Sequence, residues 1–136
     1  MGLDSVWNPI VRGSIIDQPN AAMKLAESVP GLAYSLDYAH FEGQGIPMEQ
    51  VLPLHEYAVH IHAKPARPGS FKCLFHEGKI DFNTIIHDLT RRSWEGVIAM
   101  ECMYPVDAAT LTEHPASQSL LLATRMEEIL KKEASK

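Results

Sequence analysis

Residues 57–64 read YAVHIHAK, and their reading decides the fold. Ala58, Val59 and Ile61 give a short apolar run rich in β-branched residues, the composition of a strand. His60 and His62 stand two apart, so in a strand they point to the same face. His62 is nearer the C-terminal end. Two further runs of the same build flank this one in the chain. Upstream, residues 31–40 read GLAYSLDYAH and end in Asp37 and His40. Downstream, residues 96–103 read GVIAMECM and carry Glu101 at the end of the apolar part. Carboxylate, imidazole, imidazole and carboxylate, from Asp37, His40, His62 and Glu101, thus stand at the ends of three successive strand-like segments. That donor set suits a divalent ion of intermediate hardness, Mn²⁺, Mg²⁺, Co²⁺ or Zn²⁺.

The segments between the strands read as helices. Residues 19–28, PNAAMKLAES, carry Pro19 in the first turn and place Ala22, Leu25 and Ala26 on one stripe, with Pro30-Gly31 as the stop. Residues 47–57, PMEQVLPLHEY, predict a short helix bent at Pro53. Asp81 predicts an N-cap for a helix over 81–94, its buried stripe formed by Phe82, Ile85, Ile86 and Leu89. Pro115 opens a last helix, with Leu120, Leu121, Thr124, Met126 and Ile129 as its apolar pattern. Residues 1–16, 41–47, 64–79 and the stretch from Glu101 to His114 read as loops, and 131–136 as a fraying tail. Strands alternating with helices predict parallel strands joined by crossovers. The expected class is α/β, about three parallel strands with flanking helices. Polar groups at the C-terminal ends of successive strands are where a β/α barrel places its chemistry. A whole barrel needs roughly 250 residues, and this chain has 136, so it is read as one domain holding about half of one.

Composition narrows the class further. The net charge is −5 with His neutral, which disfavours wholesale binding to nucleic-acid phosphates. No apolar run approaches the roughly 20 residues of a membrane span. The N-terminus lacks the basic and apolar regions of a signal peptide. Cys73 and Cys102 show no zinc-like spacing, and a cytoplasmic protein with both reduced is expected. Cys102, next to Glu101, would point away from the face Glu101 occupies.

The segments VPGLAYSLDYAHF, HEYAVHIHAKPARPG, EGKIDFNTIIHDL and WEGVIAMECMY, in this order, resemble the C-terminal half of the xylose-isomerase-like (β/α) TIM barrels, over roughly residues 8–104. These are sugar and sugar-phosphate isomerases and epimerases, related to tagatose-type ketose epimerases and to the endonuclease IV barrel. The resemblance implies metal ligands at Asp37, His62 and Glu101, with Glu101 also a catalytic acid/base. It implies that His40, in a D-x-x-H spacing, contacts substrate. It implies a basic substrate-binding residue at Arg67 or Lys64, the register leaving both open. His60 is read as support for His62. The family pattern also has an earlier Glu ligand, expected on a strand just before residues 13–17 and not found in this chain. The expectation is therefore a site lacking one carboxylate, completed by self-association or by a complementary N-terminal half-barrel chain, with a sugar or sugar phosphate as the small-molecule partner.

Each residue also has a plainer reading. Asp37 at a strand end can simply cap the next helix, and a His-x-His pair in a strand is commonly packing. Glu101 is harder to explain that way, because a charge closing an apolar strand is costly unless paired. His55, His76, His87 and His114 are read as surface or loop histidines. A non-catalytic half-barrel relic or ligand-binding module is the alternative function. An endonuclease-IV-like repair activity is a weaker one, since it needs extra ligands and a basic face.

Overall fold

The structure is a computed structural model describing residues 6–7, 17–102 and 113–135. It is a mixed α/β fold built on a parallel sheet flanked by helices. The strands are β1 (Val6–Trp7), β2 (Ala33–Asp37), β3 (Ala58–Ala63) and β4 (Val97–Met100), all parallel and lying in the order of the chain. The helices are α1 (Pro19–Ser28), α2 (Tyr38–Gly43), α3 (Met48–Val51), α4 (Phe82–Arg91) and α5 (Pro115–Ala134). A 3₁₀ turn, Leu52–Glu56, extends α3 through Pro53, the bend expected there.

Register decides what each face of the sheet carries. Leu36 pairs with Ile61 and Ile61 with Ile98, whereas Asp37 pairs with His62 and His62 with Ala99. Because side chains alternate along a strand, Tyr34, Leu36, Ile61 and Ala63 form one face. All four are fully buried, in one core with Ala22 and Ala26 of α1, Ile85, Ile86 and Leu89 of α4, and Leu122, Met126 and Ile129 of α5. The opposite face carries Ser35, Asp37, His60, His62, Val97 and Ala99. It is open in part, with Val97 60% exposed and His60 and His62 half-buried. Parallel sheets are commonly apolar on both faces, but the open one here is polar in β2 and β3.

Local signals explain most of the helices. Asp81 caps α4, accepting from the backbone N–H of Asn83 and Thr84, and the four expected residues form its buried stripe. Four features differ from the sequence reading. Val6–Trp7 form a strand inside the expected loop, whose other residues up to 16 lie outside the described residues, as does most of the loop after Cys102. Residues 38–43 form a helical turn rather than a loop, because Asp37 caps it and no breaker intervenes before Gly43. The last helix continues to Ala134, past the start of the expected fraying tail. That helix buries Gln118, Leu122, Met126 and Ile129, whereas Leu120 and Leu121 are exposed. Spacings of four, four and three set this stripe, and only one of the three consecutive leucines can lie on it. Among the described residues no helix is long and apolar enough to cross a membrane.

Candidate functional site

The strand ends bring Asp37, His62 and Glu101 together. Asp37 closes β2 and pairs in register with His62, one residue before the end of β3. Glu101 follows β4, and its N–H donates to the Ala63 carbonyl at 2.9 Å, which extends the ladder by one rung. Glu101 lies two residues beyond Ala99 and so shares the face of His62. The His62 Nδ1 to Glu101 Oε2 distance is 2.9 Å. A carboxylate only accepts, so Nδ1–H is the donor.

Lys64 stands at the centre of the cluster. It lies two residues after His62, on the same face, and is 4% exposed. Its Nζ is 2.7 Å from Asp37 Oδ2 and 3.4 Å from Glu101 Oε2. Two carboxylates therefore converge on one ammonium, the condition under which a lysine can be buried. Asp37, 2% exposed, divides its oxygens. Oδ1 accepts from the Ala39 N–H at 3.0 Å as the cap of α2. Oδ2 receives Lys64 and lies 3.3 Å from His40 Nε2, one turn along α2. Asp37 thus caps α2 through one oxygen and joins the strand-end cluster through the other.

Burial would raise the Glu101 carboxyl, but the hydrogen bond from His62 and the Lys64 charge bring it below its ordinary value. Glu101 is thus ionised at neutral pH and able to accept a proton. His62, Glu101 and His40 form the accessible lip, with side chains 31%, 38% and 23% exposed, above buried Asp37 and Lys64. The His40 ring lies 5.4 Å from that of Phe71. Phe71 in turn packs on Gly43, where a Cβ would overlap its ring. The turn Arg67-Pro68-Gly69-Ser70, closed by Ser70 N–H to the Arg67 carbonyl at 2.8 Å with Gly69 at φ 81°, leads into Phe71. Pro at its second position and a glycine of positive φ at its third are the requirements of a type II turn.

Other expected residues fall elsewhere. Arg67 is exposed on that turn, and the ion pairs of the cluster are made by Lys64. Of the two, Lys64 is the one whose ammonium lies within the cluster. His60 packs edge-on to His62 at 4.9 Å between ring centroids, while the hydrogen bond that orients His62 comes from Glu101. His55 is not a surface histidine. Its side chain is fully buried, with Nδ1 2.8 Å from Asp88 Oδ2 and Nε2 2.5 Å from the Tyr38 hydroxyl. Arg91 and Arg92 pair with the same Asp88.

A divalent ion is tested against this geometry by its donors. Two carboxylates and an imidazole are donor types that suit one, and the carboxylates already aim at a single cation. That cation is the Lys64 ammonium, and among the described residues no three His, Cys, Asp or Glu side chains converge as a ligand group. A scan against protein-family models finds no match, and a search of the curated proteins finds no significant relative.

Proposed function

We propose that this chain is one half of a (β/α) barrel whose complete form is a metal-dependent sugar or sugar-phosphate isomerase or epimerase, moving a proton on a carbon beside a carbonyl. The observation that carries the reading is the meeting of Asp37, His62, Glu101, His40 and Lys64 at the C-terminal ends of three adjacent parallel strands. Strands lying in chain order fit an arc of a barrel, and that end is where barrel enzymes hold their chemistry. Among the described residues β4 is a sheet edge, and a groove of about 500 Å³ beside it is lined by Trp94, Ile98, Met100, Met126 and Leu130. An open edge beside an apolar groove supports completion by a second copy or by a complementary half.

In this reading the carboxylates of Asp37 and Glu101, with His62 beside them, would hold a divalent ion in the completed barrel. Such an ion would supply Lewis-acid polarisation of the substrate carbonyl, which would acidify the neighbouring C–H. Glu101, kept ionised by His62 and Lys64, takes that proton and returns it. His40 and the Lys64 ammonium bind a sugar hydroxyl or phosphate oxygen. A second carboxylate on the other face of the carbon comes from the completing half.

The alternative, a binding module or relic, is favoured by one observation: Lys64 closes the cluster on itself. Solvent deuterium incorporation into a ketose beside its carbonyl, followed by NMR with Mn²⁺ present, separates the two. The enzyme reading expects slow exchange by the chain alone, faster exchange once a complementary half is added, and loss of both in Glu101→Gln. Exchange unchanged by Glu101→Gln contradicts it.

A further inference from the structure

We infer that a cavity beneath the loop after β3, outside the strand-end cluster, is a binding site for a small aromatic carboxylate. The inference does not depend on the isomerase reading.

The cavity measures about 150 Å³ and shares no side chain with the cluster. Its walls are apolar and come from three parts of the fold. Pro65 and Phe75 come from the loop, Ile80 and Phe82 from either side of the α4 cap, and Ile129 from α5. These walls are anchored. The Phe75 N–H donates to Gln118 Oε1 at 2.6 Å, and the Lys79 N–H to the Ala66 carbonyl at 2.8 Å. A ligand therefore enters with little loop left to order. An apolar cavity of this volume accepts a ring of benzene size.

The mouth supplies the charge. Arg125 and Asn83 stand there, and the guanidinium lies 3.4 Å from Asn83 Oδ1 and 3.3 Å from Glu128 Oε2. Both contacts are long beside the roughly 2.7–2.9 Å of a charge-assisted hydrogen bond. A guanidinium presents five N–H donors in a planar fork, so two weak contacts leave it under-used. Glu128 is exposed, and exchanging it for a ligand carboxylate costs little. The other nearby carboxylate, Asp81, already accepts from the backbones and side chains of Asn83 and Thr84. Its charge is thereby largely taken up at the start of α4. A ring between the apolar walls with its carboxylate on Arg125 uses both halves of the site. A bare hydrocarbon or a bare small anion uses only one.

Two-dimensional ¹H–¹⁵N NMR titrations of the full chain test this, with benzoate, toluene and acetate as probes. Benzoate should bind with a Kd of roughly 0.1–1 mM and shift the amides of Gly78, Ile80, Phe82 and Asn83. Toluene and acetate should each bind about tenfold more weakly or worse. Arg125→Met should weaken benzoate about tenfold and leave toluene unchanged. Its amide spectrum reports whether the variant is folded, and the comparison of the three probes needs no variant. Benzoate shifts centred on His62 and Glu101 instead of residues 78–83 overturn the inference. Equal affinity for benzoate and acetate, equal benzoate affinity of parent and folded Arg125→Met, or no benzoate shift at about ten times the expected Kd does so as well.

Discussion

At the scale of single residues, His55 shows how far a side chain's role depends on partners distant in sequence. Burial pushes its imidazole below the ordinary value of 6.5, against the opposing pull of Asp88. It is therefore neutral in the fold, donating from Nδ1 to Asp88 and accepting at Nε2 from Tyr38. The tyrosine is kept protonated by burial first and by the Asp88 charge second. Burial would raise Asp88, but Arg91, Arg92 and His55 outweigh it and bring the carboxyl from 3.8 down to about 2. Acid should then weaken the fold in two stages. Below about 6.5 the unfolded chain takes up a proton that folded His55 resists, so stability falls as pH drops. Asp88 contributes fully above its unfolded value, about 2 kcal/mol, and that contribution is lost between 3.8 and about 2. Denaturant midpoints measured from pH 8 to about pH 2 should show both stages, and His55→Ala should remove the upper one at a cost of about 2–3 kcal/mol. A midpoint in His55→Ala that keeps the upper stage would place it on another group. None of this was legible in residues 47–57, because Asp88 lies 33 positions from His55 and on another helix. Asp37, His62 and Glu101 were legible, since each ends an apolar run. That Lys64 rather than Arg67 lies in the cluster was not, because it depends on where β3 stops and on the turn that leaves Arg67 exposed.

At the scale of elements, the contrast between α4 and α5 shows which patterns specify a phase. In α4 one capping aspartate and four large apolar residues agree on a single stripe, and the structure buries all four. In α5 three consecutive leucines, 120–122, admit three phases, and the sequence alone chose two that face outward. Packing against α4 and β4 selects Leu122, which is fully buried, over Leu120 at 68% exposed. Leu122→Ala should therefore cost about 2–4 kcal/mol, and Leu120→Ala less than about 0.5 kcal/mol. Chemical denaturation of the two variants reads the helix phase directly. Equal costs would mean that α5 is rotated from the position described. The short α2 escaped the sequence reading for a different reason. One turn of helix has no periodicity to detect, and only its cap residue, Asp37, announces it.

At the scale of the molecule, alternation of strand and helix was enough to predict a parallel sheet, and the register places the three strand-end residues on one face and at one end. That face is more polar than expected, so the pressure to cover it comes from Val97, Ala99 and the open β4 edge rather than from a continuous apolar surface. Self-association is still expected. Sedimentation at micromolar concentration should show a dimer or larger species, and a stable monomer that binds no apolar dye would count against a completed barrel. The most direct test of the account is anomalous diffraction from crystals of the unaltered chain grown at saturating Mn²⁺. It predicts a peak beside the Asp37 and Glu101 carboxylates at the strand ends. No peak there, or Lys64 still bridging Asp37 and Glu101 beside metal bound elsewhere, would contradict it.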